Sequence, residues 1–378
     1  MGSETSFKEI YKVSKKVFEF AELGSAEFNT SAFLADFLTK NHFTVKIPYK
    51  GMKTSFRAEY GSGKPEVCFL CEEDALPNGH SCGHNLIAAW AVGSAVRLKE
   101  KGYKGRIVVI GTPSEEGIGE YAGSKDRLVK AGAFKDIDFA LGFHPDSRWN
   151  VGCISPLNVD LELTFIGKAS HITEAGKGRN ALDALVDAYT MIRKLASSSP
   201  KSEHVVIGMF VKEGGSAANV IPEKAVLEID LRSMNERSFR SIYNRVIEIA
   251  KRSGKRYGVK VKLEKTTPLY QKYENPVFLD EILFNNLKKR GIIPVKLYSG
   301  RKLQIGATDE ANVSRVVPTC HIDMKIAPEN IAGHSSAFRD YAGSESALTS
   351  LKTAIEATVE SCVEISNDKE LLKRIPIS

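Results

Sequence analysis

The sequence predicts an α/β fold in which a mostly parallel sheet flanked by helices is interrupted by a second, ferredoxin-like α+β unit. Two observations predict the first part. Three near-continuous apolar stretches, EVCFLC (66–71), GRIVVIGTP (105–113) and DIDFALGFHP (136–145), read as strands buried on both faces. Helical patterns separate them, as parallel strands joined by crossover helices require. A third observation predicts the interruption. Near residue 157 the pattern changes to polar–apolar alternation, and the elements then run β-α-β-β-α-β to about residue 266. The expected domains are therefore 1–156 with 267–378, and 157–266 inserted between them.

Each element has its own justification. FKEIYKVSKKVFEFAEL (7–23) carries apolar residues at helical spacing, and NTSAFLADFLTKNHF (29–43) repeats the pattern, with Asn29 and Thr30 reading as its cap. FTVKI (43–47) and SFRAEY (55–60) are short strands ahead of EVCFLC. LIAAWAVGSAVRLKEKG (86–102) and EYAGSKDRLVKAGAF (120–134) are the helices between the apolar strands. In the inserted unit NVDLELTFIG (158–167) alternates as a half-exposed strand does. The helix NALDALVDAYTMIRKL (180–195) puts Leu182, Leu185, Val186, Tyr189 and Ile192 on one face. HVVIGMFVKEG, KAVLEIDLRS, the helix ERSFRSIYNRVIEIAKRSG and VKVKLEK complete it. NPVFLDEILFNNLKKRG and SALTSLKTAIEATVESCVEIS then return to the first unit as helices.

Composition excludes several classes. With 378 residues and 42% hydrophobic content, each unit can fill a core. No apolar run approaches the ~20 residues a membrane helix needs. MGSETSFKEI has no signal-peptide core. It fits the loose M-G-x-x-x-S myristoylation pattern, but no second Cys or basic cluster supports an anchor. The expectation is a soluble, cytoplasmic protein with no membrane partner. Six cysteines are too few for a disulfide framework in a chain this long. Cys68 and Cys71 have C-x-x-C spacing, yet they lie in a strand pattern and read as strand cysteines. The net charge of +7 is spread along the chain without a dense basic run, so no nucleic-acid partner is expected. It leaves a mild attraction for anionic small molecules. The many Lys and Glu residues hint at a warm habitat.

The chemistry gathers at three strand ends. GHSCGHNL (79–86) follows the first apolar strand and carries Cys82 and His84. GTPSEEG follows the second with Glu115 and Glu116, and GFHPD ends the third with His144. Open α/β sheets bind ligands beyond the carboxyl ends of their strands. A thiolate, imidazoles and carboxylates suit a borderline divalent ion: Zn2+, Mn2+, Co2+ or Ni2+. Ligands scattered over distant strand ends favour an open catalytic site over a closed structural knot. A Cys-His nucleophile would leave the glutamate pair and His144 without a part. The adjacent glutamates fit a division of labour, one on the metal and its neighbour free to move protons. As a bland alternative, both would simply favour the start of the following helix. Among the other histidines, His42 and His204 read as solvated and His80 as a weaker ligand candidate. His321, on an apolar strand, reads either as a core histidine or as a competitor of His334.

Blocks along the chain resemble the metallopeptidase 20 family, in its amidohydrolase branch. They are AELGSAEFNTSAFLADFL, DALPNGHSCGHNLIAAW, GTPSEEG, GFHPD, GRNALDALVDAY, NVIPEKAVLEIDLR, GATDEANVS and GHSSAF, in family order from about 20 to 350. The resemblance implies a split catalytic domain with a two-metal centre and an inserted lid domain that makes a homodimer. It implies Cys82, His84, Glu116, His144 and His334 as metal ligands and Glu115 as general base. Asp74 would orient a ligand, His171 would polarise the scissile carbonyl, and Asn219 would anchor the substrate. The activity implied is hydrolysis of an amide beside a free carboxylate by metal-activated water, in an N-acyl amino acid, an aminoacyl conjugate or a dipeptide. A metallocarboxypeptidase or aminopeptidase acting on short peptides is the rival enzyme. A metal-stabilised binding protein is the rival outside enzymes. In one place the chain departs from the family pattern: relatives carry a proline and one more residue after the lid histidine, where this chain has ITEAGKG with Gly176 and Gly178.

Overall fold

The structure is a computed structural model that describes residues 6–198, 204–299 and 306–375. The chain forms two compact units. Ser155–Lys272 makes one, and the other is built from the residues before it and nearly all of those after it.

In the first unit, α1 (Phe7–Phe20) and α2 (Phe28–Lys40) lead to β1 (Thr44–Lys46), β2 (Arg57–Tyr60) and β3 (Glu66–Glu72). Then come α3 (His84–Glu100), β4 (Arg106–Thr112), α4 (Ser124–Lys130), β5 (Phe139–Asp146) and β6 (Asn150–Val151). The inserted unit contributes β7 (Leu157–Ile166), β8 (Ser170–His171), α5 (Ala181–Ser197), β9 (Val206–Glu213) and β10 (Val220–Ile221). It ends with β11 (Lys224–Ser233), α6 (Glu236–Tyr257) and β12 (Lys260–Lys265). The chain returns through α7 (Val277–Lys288), β13 (Val295–Lys296), α8 (Glu310–Ser314) and β14 (Thr319–Lys325). It finishes with α9 (Ser336–Ala342), α10 (Glu345–Asn367) and α11 (Lys369–Arg374).

The large sheet has the order β1-β2-β4-β3-β5-β14-β6-β13. Its centre, β4-β3-β5-β14, is parallel, and β1, β2 and β6 join antiparallel. Both faces are covered, which is why the central strands read as unbroken apolar runs. Val67, Phe69 and Cys71 pack with α1, α3 and α10, while Cys68 and Leu70 face the cluster of Met52, Leu128 and Val313. Cys68 and Cys71 therefore point to opposite faces and cannot form a redox pair. Trp90 of the buried helix α3 stacks on Phe143 of β5, with ring centroids 4.9 Å apart.

Several helix limits differ from the sequence reading, and at the starts of α2 and α4 the cause is plain. Asn29 and Thr30 lie inside the first turn of α2 rather than capping it. The cap is the carboxylate of Glu22, which accepts the backbone N–H and side chain of both residues. α4 starts at Ser124 and not near 120, because the loop before it passes through positive φ at Gly117, Gly119 and Gly123.

The inserted unit is a four-stranded antiparallel sheet, β12-β7-β11-β9, carrying α5 and α6 against one face. Taken in chain order this is the ferredoxin-like arrangement. Its edge strand β9 exposes Phe210 at 62% and Val211 at 41%. No helix among the described residues is long and apolar enough to cross a membrane.

Candidate metal centre

The parallel strands aim their carboxyl ends at one region of the first unit, and the loops there carry the chemistry. Cys82 and His84 follow β3, and Gly83 between them has φ +85. A Cβ at Gly83 would come within 2.8 Å of Pro145, so glycine lets the end of β5 close on the loop. His84 opens α3, whose N-terminus favours a thiolate just ahead of it. Glu115 and Glu116 follow β4. Ser114 before them sits at φ +59 and is held from beneath, its N–H donating to Glu27 at 2.9 Å and its hydroxyl 2.9 Å from that of Ser25. His144 ends β5. His334, also left-handed at φ +64, is fixed by its N–H on the Ser81 carbonyl.

These side chains converge. Cys82 Sγ lies 3.2 Å from His144 Nε2. His84 Nε2 lies 3.6 Å from Glu116 and 3.8 Å from Glu115, and His334 Nε2 lies 3.7 Å from Glu116. The ligand atoms of Cys82, His84 and His144 all fall within 4.8 Å of one another, as do those of Cys82, Glu116 and His334. Cys82 is common to both sets. Asp74 is placed to orient them: one oxygen is 3.0 Å from His84 Nδ1, and the other accepts the Glu116 N–H. His84 Nδ1 thus donates and leaves its Nε2 lone pair toward the site. His144 does the same by donating Nδ1–H to the Pro145 carbonyl.

Burial brings groups of both charge signs together here. Burial alone would raise the Cys82 thiol, but His144 and His84 pull it well below the usual thiol range. Burial opposes a charge on His144, yet Cys82 lifts it to about 10. Burial and then Glu72 push Glu115 well up, while burial and Cys82 push Glu116 to about 8. His84 Nε2, Glu116 Oε1 and Glu72 Oε2 are buried without a hydrogen-bond partner. Orphaned donors of this hardness and softness fit a divalent transition ion.

Other expected residues lie elsewhere. His171 and Asn219 belong to the inserted unit, where they are neighbours. His171 pairs with Val220 across a two-strand ribbon, and the Ile172 N–H donates to the Asn219 carbonyl at 2.9 Å. His171 is exposed, its Nδ1 2.8 Å from the Thr173 hydroxyl. The glycine-bearing segment after it folds as a short 3-10 turn, Ile172–Lys177. At Gly178, just past the turn, a Cβ would come within 2.5 Å of the Ser170 hydroxyl. His80 is not among the ligand sets: its Nε2 faces the Val17 carbonyl and its ring stacks on Phe18. Nor is His321, whose two nitrogens are taken by Glu310 and Asp323. Glu115 and Glu116 do not cap α4, which begins well after them.

The sequence reading missed Glu72. Its Oε2 lies 3.4 Å from His84 Nε2, and Glu72, His84 and Glu115 form a third possible ligand set. A signal was present: strand alternation puts residues 72 and 74 on one side, so a glutamate two before Asp74 faces the same region.

Known proteins share this chain's organisation. Residues 158–258 match the family described as a peptidase dimerisation domain. The chain is 32% identical to the Xaa-Arg dipeptidase of Mus musculus over 81% of its own length and 73% of that protein's. It is 30% identical to one of the subunits of the p-aminobenzoyl-glutamate hydrolase of Escherichia coli, over 63% of its own length and 53% of the other. A Bacillus subtilis structure described as a dinuclear metal-binding peptidase of the M20 family superposes with a TM-score of 0.69 at 17% identity. The match covers 95% of this chain and 98% of that one.

Proposed function

The chain belongs to the metallopeptidase 20 family and is an amide-bond hydrolase, and we propose that it cleaves small amides whose leaving portion carries a free carboxylate. N-acyl amino acids, aminoacyl conjugates and dipeptides are the substrates meant. One observation carries the reading: two ligand sets share the Cys82 thiolate, and Glu115 stands beside them, grouped only with Glu72 and His84. Two divalent ions per subunit, of the Zn2+, Mn2+, Co2+ or Ni2+ class, would be held by Cys82, His84, Glu116, His144 and His334. Such ions supply a Lewis acid and make water acidic enough to lose a proton near neutral pH.

The chain's own groups do the rest. Glu115 is a nearly buried carboxylate whose proton affinity burial has raised. It takes a proton from the attacking water and passes it to the leaving nitrogen. Asp74 keeps His84 in the tautomer that presents Nε2. By family resemblance, His171 donates to the amide oxygen as charge builds there, and Asn219 holds the substrate. The dimerisation-domain match and the open edge of β9 support a homodimer. All six cysteines are free, which fits a reducing compartment, and we place the protein in the cytoplasm.

The test is release of free amino acid from a panel of N-acyl amino acids, p-aminobenzoyl-glutamate and dipeptides, with Xaa-Arg dipeptides included because a relative is named for them. Blocking either terminus of an active dipeptide separates amidohydrolase from aminopeptidase behaviour. A chelator should abolish release and a divalent transition ion restore it. Full activity in a verified metal-free preparation would sink the reading.

A further inference from the structure

Lys125 has no exposed surface, and the reaction above gives it no part. Its Nζ lies 2.5 Å from Asp309 Oδ1 and 2.8 Å from Glu72 Oε1, and its backbone N–H donates to Asp309 Oδ2 at 3.0 Å. Asp309 is likewise wholly buried. One ammonium thus serves two carboxylates. A Lys–Asp pair alone would be neutral and complete, and apolar residues of similar volume would fill the same space without the cost of removing charges from water. The third member is what needs explaining. Glu72 is held by one oxygen only. The other, Oε2, is buried without a hydrogen-bond partner and lies 3.4 Å from His84 Nε2, itself unpartnered. The trio carries one surplus negative charge, and it sits at the end that faces the metal ligands.

We propose that Lys125 and Asp309 are positioning residues of the metal centre: they pin Glu72 Oε1 so that Oε2 is presented to a cation bound at His84. A free glutamate side chain has several rotamers. The ammonium fixes one oxygen, and the Asp309 carboxylate fixes Lys125 by accepting from both its ammonium and its backbone N–H. The brace also joins the segments that open α4 and α8 to the end of β3. The proposal rests on reading the site as a metal centre, and the experiment separates the two.

Wild type and the variants Glu72→Gln, Asp309→Asn and Lys125→Met/Asp309→Asn are stripped of metal and titrated with Co2+. Bound cobalt, the visible cobalt absorption bands and the melting temperature of the metal-free form are measured. The double variant removes one charge of each sign, so the surplus charge stays the same while the clamp is lost. Each folded variant should hold cobalt at least ~10-fold more weakly at one position and shift the absorption bands, the scale seen when an outer partner of a metal site is removed. A merely structural brace would lower the metal-free melting temperature and leave affinity and spectrum as in wild type. Should the double variant fail to fold, the two single variants decide, since each keeps its side-chain volume. Any folded variant that binds cobalt with wild-type affinity and spectrum overturns the proposal. Failure of the wild type to take up cobalt would overturn the metal-centre reading instead.

Discussion

Glu115 and Glu116 are the same residue one position apart, and on the proposed reading their surroundings divide their work. Glu116 shares a ligand set with Cys82 and His334, while Glu115 groups only with Glu72 and His84, in the set without the thiolate. Glu115→Gln should therefore keep metal and fold but lower turnover by at least ~10²-fold, the usual scale for a general base. Glu116→Gln should lose metal first. Metal analysis beside steady-state kinetics checks both, and the opposite pattern would reverse the assignment. That Cys82, His84, Glu115, Glu116 and His144 gather in one place was legible because motif residues sit at strand ends. Glu72, Lys125 and Asp309 were not, because their meeting depends on how α4 and α8 pack, which no local pattern records. Glu27 was also hidden. Burial pushes its carboxyl up to about 7, while it accepts the Ser114 N–H beneath the glutamate pair. A carboxyl raised in the folded state favours folding while protonated. That contribution is present below the ordinary value of 4.5 and lost as pH rises through about 7. Glu27→Gln should thus gain stability over wild type between pH 5 and pH 8, by ~1–3 kcal/mol. Urea unfolding at the two pH values measures it, and a constant difference would count against this account.

At the scale of elements, the apolar strands and α3 were legible because burial on every side leaves a continuous hydrophobic record. Helix starts were less so. Asn29 and Thr30 have the composition of a cap, but the group that satisfies the free N–H donors of α2 comes from Glu22, in the loop before it. Distance along the chain, not residue type, hid it. Glu22→Ala should cost ~1–2 kcal/mol, since loss of a capping side chain typically costs up to about that amount. Asn29→Ala should cost well under half as much. Thermal melts of the two variants decide between them, and equal losses would return the cap to Asn29. The alternating strands of the inserted unit were read in their right order, and period-two burial along β7 and β11 explains why.

At the scale of the molecule, the open edge of β9 is a liability unless something covers it. Phe210 and Val211 make it apolar, and a second copy pairing edge to edge gives a closed two-fold assembly. Wild type should scatter light as a dimer at micromolar concentration, and Phe210→Lys should shift it toward monomer with the helical signal unchanged. A wild-type monomer would remove the dimer from the picture. The hydrophobic period changes near residue 157, and the compact inserted unit runs from Ser155 to Lys272, so its edges in the linking loops carry no periodic signal. The sequence could not show the order of strands in the large sheet, which is set by contacts between distant segments. That order matters while the protein is being made. β14 lies between β5 and β6, although the whole inserted unit separates it from them in the chain. As synthesis proceeds, the insertion is contiguous and can collapse as soon as β12 emerges from the ribosome. The first unit cannot: β5 waits with one flank bare until Thr319–Lys325 arrives, and His334 comes later still. A product that ends before these segments would leave β5 with an exposed edge and the proposed ligand set without His334, the kind of species that chaperones and proteases bind. The proposed ligand set is complete only once His334 has joined residues made some 190 positions or more before it.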